Sequence, residues 1–304
     1  MKRPLRKLPL AKQRELDAAV EIIQDGFAKA ISTRRADRLK NGRILKIILF
    51  GSYARGDWVH DPVGRYFSDF DLLVVVDHED LTDFEFWEDV EKRLLAELSA
   101  GAMRTPVSLI VHSLDDVNWK LEHGRGFFID IARDGVVLQD TPGVAFSEPQ
   151  PLPPSTALEE ALNYFEEWKE MADGFTMAAN LLKENGQSKL AAFNLHQTAE
   201  TIYQGLLQVL TLYSPKSHNL IRLRNMTEPL EPRLREVWPH ETKFQKRCFE
   251  LLRAAYVKAR YSRHYRITDE ELAYLTERIE VLSRIVAEAG EKRISELRVA
   301  ASSQ

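Results

Sequence analysis

A proline-rich segment divides the sequence into two stretches of different character. Residues 141–155 contain five prolines and no hydrophobic periodicity. Before this segment, helical periodicity alternates with β-branched runs such as 44–50, whereas the apolar residues after it recur only at helical spacing. Alternating helices and strands are typical of a mixed domain, so we expect a sheet only before the proline-rich segment. We predict an α/β (α+β) domain with a short mixed sheet over 1–140, a linker over 141–155 and a helical domain over 156–304.

The second stretch predicts a four-helix-type bundle, because its helices are joined by short connections. Ser155 or Thr156 is the expected cap of the first helix, with Glu159 three or four residues later to complete a capping box. Thr268 is the expected cap of the last helix. The segment HNLIRL, 218–223, is expected to be a loose connection. The predicted helices span 156–184, 188–212, about 240–263, and from the Thr268 cap to about 298.

Composition narrows the class of protein. The chain is 44% hydrophobic and 29% charged, which is sufficient for a folded core. Apolar runs are all shorter than the roughly 18–20 residues that a membrane-spanning helix needs, and the basic N-terminal segment lacks the apolar core of a signal peptide. The single cysteine, Cys248, excludes a disulfide framework and a cysteine-based zinc site. We expect a soluble, cytoplasmic protein with no membrane partner.

The segment 44–76 contains the clearest chemical motif. An apolar strand leads directly into Gly51-Ser52, and Asp69-Phe70-Asp71 opens the next apolar strand. Gly51 allows the backbone to approach a phosphate closely, and Ser52 lies at a helix N-terminus, where amide groups attract anions. Asp69 and Asp71 are two residues apart on a strand and project from one face, as carboxylates that hold a divalent cation do. The motif predicts a site for magnesium and a nucleoside triphosphate.

This pattern resembles the polymerase-β-like nucleotidyltransferase superfamily in its minimal form, the MNT domain. The resemblance covers about 40–140 and is most specific over 48–76. It implies that Gly51 and Ser52 hold the triphosphate of an NTP, expected to be ATP, and that Asp69 and Asp71 are catalytic and bind two Mg²⁺ ions. Arg55 either contacts phosphate or is a surface residue of its helix.

Two features depart from that family. The spacer between Ser52 and Asp69 has 16 residues, and 57–67, with Pro62 and Gly64, is expected to form a loop over the site. Active members add a third carboxylate from a later strand, but the matching position here is Ser108, which cannot act as a base. His112 is a nearby substitute, although a structural role is more usual for such a residue, and Asp115-Asp116 is better interpreted as a helix start.

The second stretch resembles a HEPN domain, a helical bundle often paired with MNT domains. The resemblance covers about 156–298 and depends on Ala191–Phe193, on the polar sequence from His196 to Glu200, and on His218-Asn219-Leu220. A nucleotidyltransferase domain followed by a HEPN domain is the order of known single-chain fusions. The resemblance implies a homodimer through the helical domain and a toxin–antitoxin-like pairing of the two domains. His196 and His218 are expected to be structural hydrogen-bonding residues.

The charge of the helical stretch is uneven. Residues 216–266 carry 13 Lys and Arg against 5 Asp and Glu, whereas 151–215 carry 3 against 8 and 267–304 carry 5 against 8. One interpretation is that the acidic flanks neutralise the basic stretch across the bundle. The other is that the basic stretch is a surface for phosphate or for RNA.

A second candidate site lies in this basic stretch. Arg253, Tyr256, Arg260 and His264 recur at helical steps and are expected to share one face. An arginine and a histidine on one face can cleave RNA without metal. HEPN ribonucleases space them with four to six residues, whereas three separate Arg260 from His264, so a phosphate-binding or structural role is favoured. In related pairs the MNT domain adenylylates a HEPN tyrosine, which makes Tyr265 a candidate acceptor.

Three functions follow from these observations. The leading hypothesis is a Mg-dependent nucleotidyltransferase that moves a nucleoside monophosphate to a hydroxyl of a small molecule, an RNA end or a protein tyrosine. The alternative, favoured by Ser108, is a regulatory nucleotide-binding module with weak or no catalysis. A HEPN ribonuclease is the third hypothesis, and the spacing before His264 disfavours it.

Overall fold

The structure, a computed structural model, describes residues 8–58, 60–61, 66–215 and 217–303, with the backbone alone at 60–61 and 66–67. The chain divides into two compact units between Pro151 and Leu152. In the described part of the chain, every helix is too short or too polar to cross a membrane.

The first unit alternates helices and strands. Four of its six described strands form a mixed sheet in the order β5-β4-β1-β6, in which β4 and β5 are parallel and the other pairs are antiparallel, and β2 pairs with β3 in a separate two-stranded sheet. The predicted fold class is confirmed. The elements are α1 (Leu10–Ser32), α2 (Asp37–Lys40), β1 (Ile44–Phe50), α3 (Gly51–Arg55), β2 (His60–Asp61), β3 (Tyr66–Phe67), β4 (Phe70–Val76), α4 (Glu88–Ala100), β5 (Val107–Ser113), α5 (Leu114–Glu122), α6 (Gly126–Asp134) and β6 (Val136–Asp140).

The sheet is covered on both faces, which explains why its central strands are continuously apolar. Every residue of β1 is buried, and alternate residues of β4, such as Leu72 and Val74, pack with α1 and α4 in one core. Helices α5 and α6 contact the strands β1, β4 and β5. Because β1 and β4 are antiparallel, the last residue of β1 lies beside the first residues of β4. The turn into α3 therefore comes at the same sheet edge as the start of β4.

The proline-rich segment is attached to the first unit over most of its length. Lys46 of β1 is only 2% exposed, and its Nζ contacts Asp140 Oδ1 at 2.5 Å and donates to the Val144 carbonyl at 2.6 Å. The Gln150 amide donates to a carbonyl of α5 at 3.0 Å. The backbone over 141–150 is thus fixed to the sheet and α5, and the next helix begins four residues later.

The second unit is a helical bundle built around one buried helix. The helix α8 packs against α7, α9, α10 and α11, and most of its residues are buried. This unit contains α7 (Pro154–Glu184), α8 (Ser188–Thr211), α9 (Leu220–Thr227), α10 (Lys243–Tyr261) and α11 (Asp269–Ser302).

Local sequence was sufficient to predict some of the helix N-termini but not others. Thr268 caps α11 as predicted, and the side chain of Glu271 completes a capping box with it. The expected cap at Ser155 or Thr156 with Glu159 is wrong, because α7 begins at Pro154 and its N-cap is Pro153. Proline is well suited to the first helical position, where its missing N–H would have no intrahelical partner, so the helix extends further back than the polar caps suggested.

The connection predicted over 218–223 is also wrong. Residues 220–227 form α9, and the side chain of Asn219 accepts from the amides of Ile221 and Arg222 at its start. The helix α10 begins at Lys243 after a capping box of Thr242 and Gln245, rather than directly after Pro239. Asn219 is an effective N-cap, and this signal was present in the sequence.

The close packing of α7 on α8 gives a stability prediction with a matched control. A Cβ at Gly205 would lie 2.5 Å from Cβ and 2.6 Å from Cδ1 of Trp168, whereas a Cβ at Gly174 would meet nothing within 4 Å. We expect Gly205→Ala to lower the free energy of unfolding by about 1–3 kcal/mol through overpacking. Gly174→Ala should raise it by roughly 0.5–1 kcal/mol through helix propensity. Urea denaturation of both variants measures the two shifts, and shifts of the same sign would contradict this packing.

Candidate nucleotide and metal site

Three strand residues meet in one row at an edge of the sheet. Phe50, the last residue of β1, pairs with Asp71 of β4, and Asp71 pairs with Ser108 of β5. Paired residues on neighbouring strands project from the same face, so these side chains stand next to one another. Asp69 lies one residue before β4, and Ser108 Oγ donates to its Oδ2 at 3.2 Å. The structure therefore brings together Asp69, Asp71 and Ser108.

Gly51 is required where it stands, because the backbone passes directly against a carboxylate. Its φ is +70°, and a Cβ would overlap Oδ2 of Asp71 and lie 3.1 Å from Cγ. Gly51 is also the first residue of α3, which continues with Ser52. The amide groups of the first helical turn have no intrahelical acceptor. The turn thus brings the start of α3 against the Asp71 carboxylate, and binding of phosphate there stays a prediction.

The short helix α3 is anchored by an aromatic cluster. Tyr53 is buried, and its ring lies 4.5 Å from that of Phe70 and 5.2 Å from that of Trp58, between centroids. Burial raises the pKa of the Tyr53 phenol, so the group stays neutral. These contacts fix the orientation of α3 relative to β4 and therefore the position of Gly51 and Ser52 relative to the carboxylates.

Arg55 is at the other end of α3. It is exposed, and its Nε lies 3.2 Å from Oδ2 of Asp57. Arg55 is thus separated from Gly51 by the length of the helix, and a phosphate contact from it remains a prediction. The predicted covering loop over 57–67 includes Pro62 and Gly64, which lie outside the described residues.

The donor set fits a magnesium ion that substrate completes. Asp69 and Asp71 are both half-buried carboxylates at one strand end. Across the described ranges, no group of three or more His, Cys, Asp or Glu side chains could hold a metal by itself. Mg²⁺ is usually held by one or two carboxylates together with substrate phosphates rather than by an all-protein cage. Two carboxylates beside the Gly51 turn match that requirement.

His112 does not replace the missing carboxylate. It pairs with Val75 near the opposite end of the sheet, about 13 Å along β5 from Ser108 at the usual rise of a strand. Its Nδ1 lies 2.6 Å from Asp116 Oδ2. Burial opposes ionisation of Asp116, but hydrogen bonds from His112 and Lys120 lower the pKa of Asp116 to about 2. The idea of His112 as a base at this site is therefore wrong, while Asp115 and Asp116 open α5 as expected.

The structure separates His264 from the other candidate residues of the second unit. The helix α10 ends at Tyr261, where Ser262 adopts an extended conformation, and the exposed His264 follows outside the helix. The prediction that His264 shares a face with Tyr256 and Arg260 is therefore wrong. Periodicity alone did not show where the helix ends.

Tyr265 is buried, which argues against it as a nucleotide acceptor. The residue is 4% exposed, and its hydroxyl donates to the Leu251 carbonyl at 2.9 Å. Burial also raises the pKa of its phenol. A nucleophile in this position would be weak and inaccessible.

A different cluster forms where α8, the segment before α9 and α10 meet. His218 Nδ1 lies 2.9 Å from Oε1 of the buried Glu200, and its ring stacks on Tyr256 at 4.2 Å. Glu200 is also 3.4 Å from His196 Nε2, and the Arg260 guanidinium lies 4.5 Å from the Tyr256 ring. His196 is buried, as a structural residue would be, but His218 is 54% exposed. It borders a groove of about 450 Å³ whose lining includes Lys258, Arg253 and the Glu250 carboxylate that pairs with Arg253.

The basic stretch is neutralised in part by its own carboxylates and by α11. Arg224 pairs with Glu228 within the stretch, and Arg247 pairs with Glu271 of α11 at 2.5 Å. The acidic residues after 267 therefore neutralise part of the charge of the basic stretch, in agreement with the interpretation that acidic flanks compensate it.

Comparison with known proteins agrees with this geometry. A family model for a nucleotidyltransferase domain matches residues 29–100, and a model for a HEPN domain matches 165–291. A putative protein adenylyltransferase of Methanocaldococcus jannaschii is 40% identical over 93 residues, which cover 28% of this chain and 78% of that protein. The chain belongs to the nucleotidyltransferase family. Its second unit is a HEPN domain, and the resemblance predicted from the sequence is confirmed for both parts.

The two matches locate the structural features of this nucleotidyltransferase–HEPN protein. The nucleotidyltransferase match includes β1, α3 and β4 with the Gly51 turn and both carboxylates, and it ends before Ser108. The HEPN match includes α8 and α10 with the Glu200–His218 cluster.

Proposed function

We propose that this nucleotidyltransferase uses Mg²⁺ and transfers a nucleoside monophosphate from ATP to a hydroxyl group. The observation that carries the proposal is the approach of the Gly51 backbone to the Asp71 carboxylate at the edge where β1 ends and β4 begins. In this arrangement, backbone amides that can donate hydrogen bonds to phosphate lie next to carboxylates that can bind a metal ion. The match to a protein named as a putative adenylyltransferase supports ATP as the donor and a protein hydroxyl as the acceptor.

The roles of the residues follow from their positions. The backbone at Gly51 and Ser52 binds the triphosphate, and Asp69 and Asp71 hold the divalent cation, of which two are expected. When bound, the cation neutralises the charge that develops on the leaving pyrophosphate. The acceptor oxygen attacks the α-phosphorus, the bond from the α-phosphorus to the oxygen that bridges it to the β-phosphate breaks, and pyrophosphate leaves. Ser108 has no carboxylate that could accept the proton of the acceptor hydroxyl, so this proton passes to solvent water.

Ser108 favours a second candidate function. A site without a carboxylate at this position is compatible with a module that binds Mg-nucleotide and regulates the HEPN unit without fast transfer.

Exposed apolar side chains on the HEPN helices support a homodimer through this unit: Met171, Met177 and Leu181 on α7, and Leu190 on α8. The groove beside His218, which Lys258 and the Arg253–Glu250 ion pair line, keeps an RNA end among the candidate acceptors.

Labelled nucleotides distinguish these functions. We expect label from α-labelled ATP to become attached to a protein or RNA acceptor in the presence of Mg²⁺, with release of pyrophosphate, and γ-labelled ATP to leave no label. Chelation of the metal should abolish the product. Saturable Mg-nucleotide binding without pyrophosphate release would instead support the regulatory module. If the protein shows neither Mg-nucleotide binding nor transfer, the proposed site at Gly51, Asp69 and Asp71 is wrong.

A further inference from the structure

Ser108 connects the two carboxylates of the site. It stands directly opposite Asp71 in the register of β4 and β5, and its hydroxyl donates to Oδ2 of Asp69 at 3.2 Å. The strand β5 is hydrogen-bonded along β4 from Val107 to Ser113, so the backbone of Ser108 is fixed. One neutral side chain is thus placed against one carboxylate and bonded to the other.

Asp69 needs orientation more than Asp71 does. Asp71 lies inside β4, where its backbone pairs on both sides, with Phe50 and with Ser108. Asp69 precedes the strand, so strand pairing does not determine the direction of its side chain. A hydrogen bond to an ionised carboxylate is stronger than one between neutral groups, so the Ser108 hydroxyl restrains the orientation of the Asp69 carboxylate. Groups that orient metal ligands in this way typically change metal affinity about 10–100-fold when removed.

The neutrality of Ser108 has a separate effect. A third carboxylate in this row would add negative charge next to Asp69 and Asp71 and would attract a divalent cation in the absence of substrate. A hydroxyl adds none. The nucleotide phosphates must then contribute more of the negative charge that holds the cation.

We propose that Ser108 is a positioning residue that orients Asp69 toward the divalent cation and makes cation binding depend on the nucleotide. The proposal depends on the function proposed above, because it assigns Asp69 and Asp71 as the metal ligands. Ser108 acts through Asp69 and needs no contact with the reacting atoms.

Direct binding of Mn²⁺ to the full chain tests the orienting role. Mn²⁺ is titrated by electron paramagnetic resonance, alone and with a non-hydrolysable ATP analogue that is cleaved at neither phosphoanhydride bond. We expect Ser108→Ala to weaken Mn²⁺ binding in the presence of the analogue about 10-fold, with little change in the affinity for the analogue alone. Ser108→Thr, which keeps the hydroxyl, should restore binding to within about threefold. Unchanged Mn²⁺ affinity in Ser108→Ala would overturn the orienting role.

A charged replacement tests the second role. Ser108→Asp should strengthen binding of Mn²⁺ without nucleotide by about 10-fold or more, whereas Ser108→Asn, similar in size and uncharged, should not. Equal binding by the Asp and Asn variants would overturn the nucleotide-dependence. Thermal unfolding of each variant identifies any that fails to fold, and Ser108→Cys, a close isostere with a weaker donor, then takes the place of Ser108→Ala with the same expected loss.

Failure of the underlying function has a different signature. If Asp69→Asn and Asp71→Asn bind Mn²⁺ and the analogue as the wild type does, the site itself is wrong. If those variants lose Mn²⁺ while the Ser108 variants do not, the site stands and the inference about Ser108 is wrong.

Discussion

Replacing Asp71 with asparagine should lower nucleotidyl transfer by at least about 1,000-fold, equivalent to about 4 kcal/mol of transition-state stabilisation. Asparagine has nearly the same shape as aspartate, and the strand pairing of residue 71 with Phe50 and Ser108 uses the backbone, so the fold should persist. What is lost is the negative charge that holds the cation against the phosphates. Pyrophosphate release from ATP, measured with saturating Mg²⁺, gives the rate for each protein.

Asp115→Asn is the matched control for this change. Asp115 is an exposed carboxylate in the first turn of α5, which begins where β5 ends, at the opposite edge of the sheet from Asp71. Its replacement should reduce stability by roughly 0.3–1 kcal/mol through the helix dipole and leave the transfer rate within about twofold. Comparable rates for Asp71→Asn and the wild type would exclude Asp71 as a metal ligand.

The candidate residues Gly51 and Asp71 could be grouped from the sequence because they are close together in the chain. Residues 44–76 contain two neighbouring strands and the turn between them, so the position of Gly51 beside the Asp71 carboxylate follows from a short segment that pairs with itself. The edges of that segment were less predictable. Asp69 was expected on the strand but lies just before it, because the ladder with β5 begins at Phe70.

Contacts between distant segments could not be read from spacing. His112 looked close to the site because it follows Ser108 by four residues, but strand geometry carries it toward the far end of the sheet. Likewise, the Glu200–His218 contact joins α8 to the segment before α9, and neither residue has a sequence signal that identifies the other. Each histidine carried an ordinary structural interpretation until the packing was known.

The end of α10 could not be predicted from the spacing of its residues. The apolar and cationic residues of α10 continue at helical spacing past Tyr261, and this spacing put His264 on the wrong face. The chain leaves the helix at Ser262, and Tyr265 then turns inward to donate to the Leu251 carbonyl. That tertiary hydrogen bond and the burial of Tyr265 favour a helix end before this residue, and neither is visible in periodicity.

Gly51→Ala should lower transfer and Mg-ATP affinity by about 100-fold or more, which corresponds to roughly 3 kcal/mol. The added Cβ would overlap the Asp71 carboxylate, and alanine is strained at a φ of +70°. The carboxylate or the turn must move, and either displacement separates the amides that bind phosphate from the carboxylates that bind the metal.

Gly56→Ala is a control that separates backbone strain from atomic overlap, since Gly56 has a φ of +90° at the end of the same helix and open space around its Cβ position. Both variants should lose about 1–2 kcal/mol of stability in urea denaturation, but only Gly51→Ala should lose nucleotide affinity in calorimetry. Equal loss of affinity in the two variants would mean that the strain of α3, rather than the close approach to Asp71, governs the site.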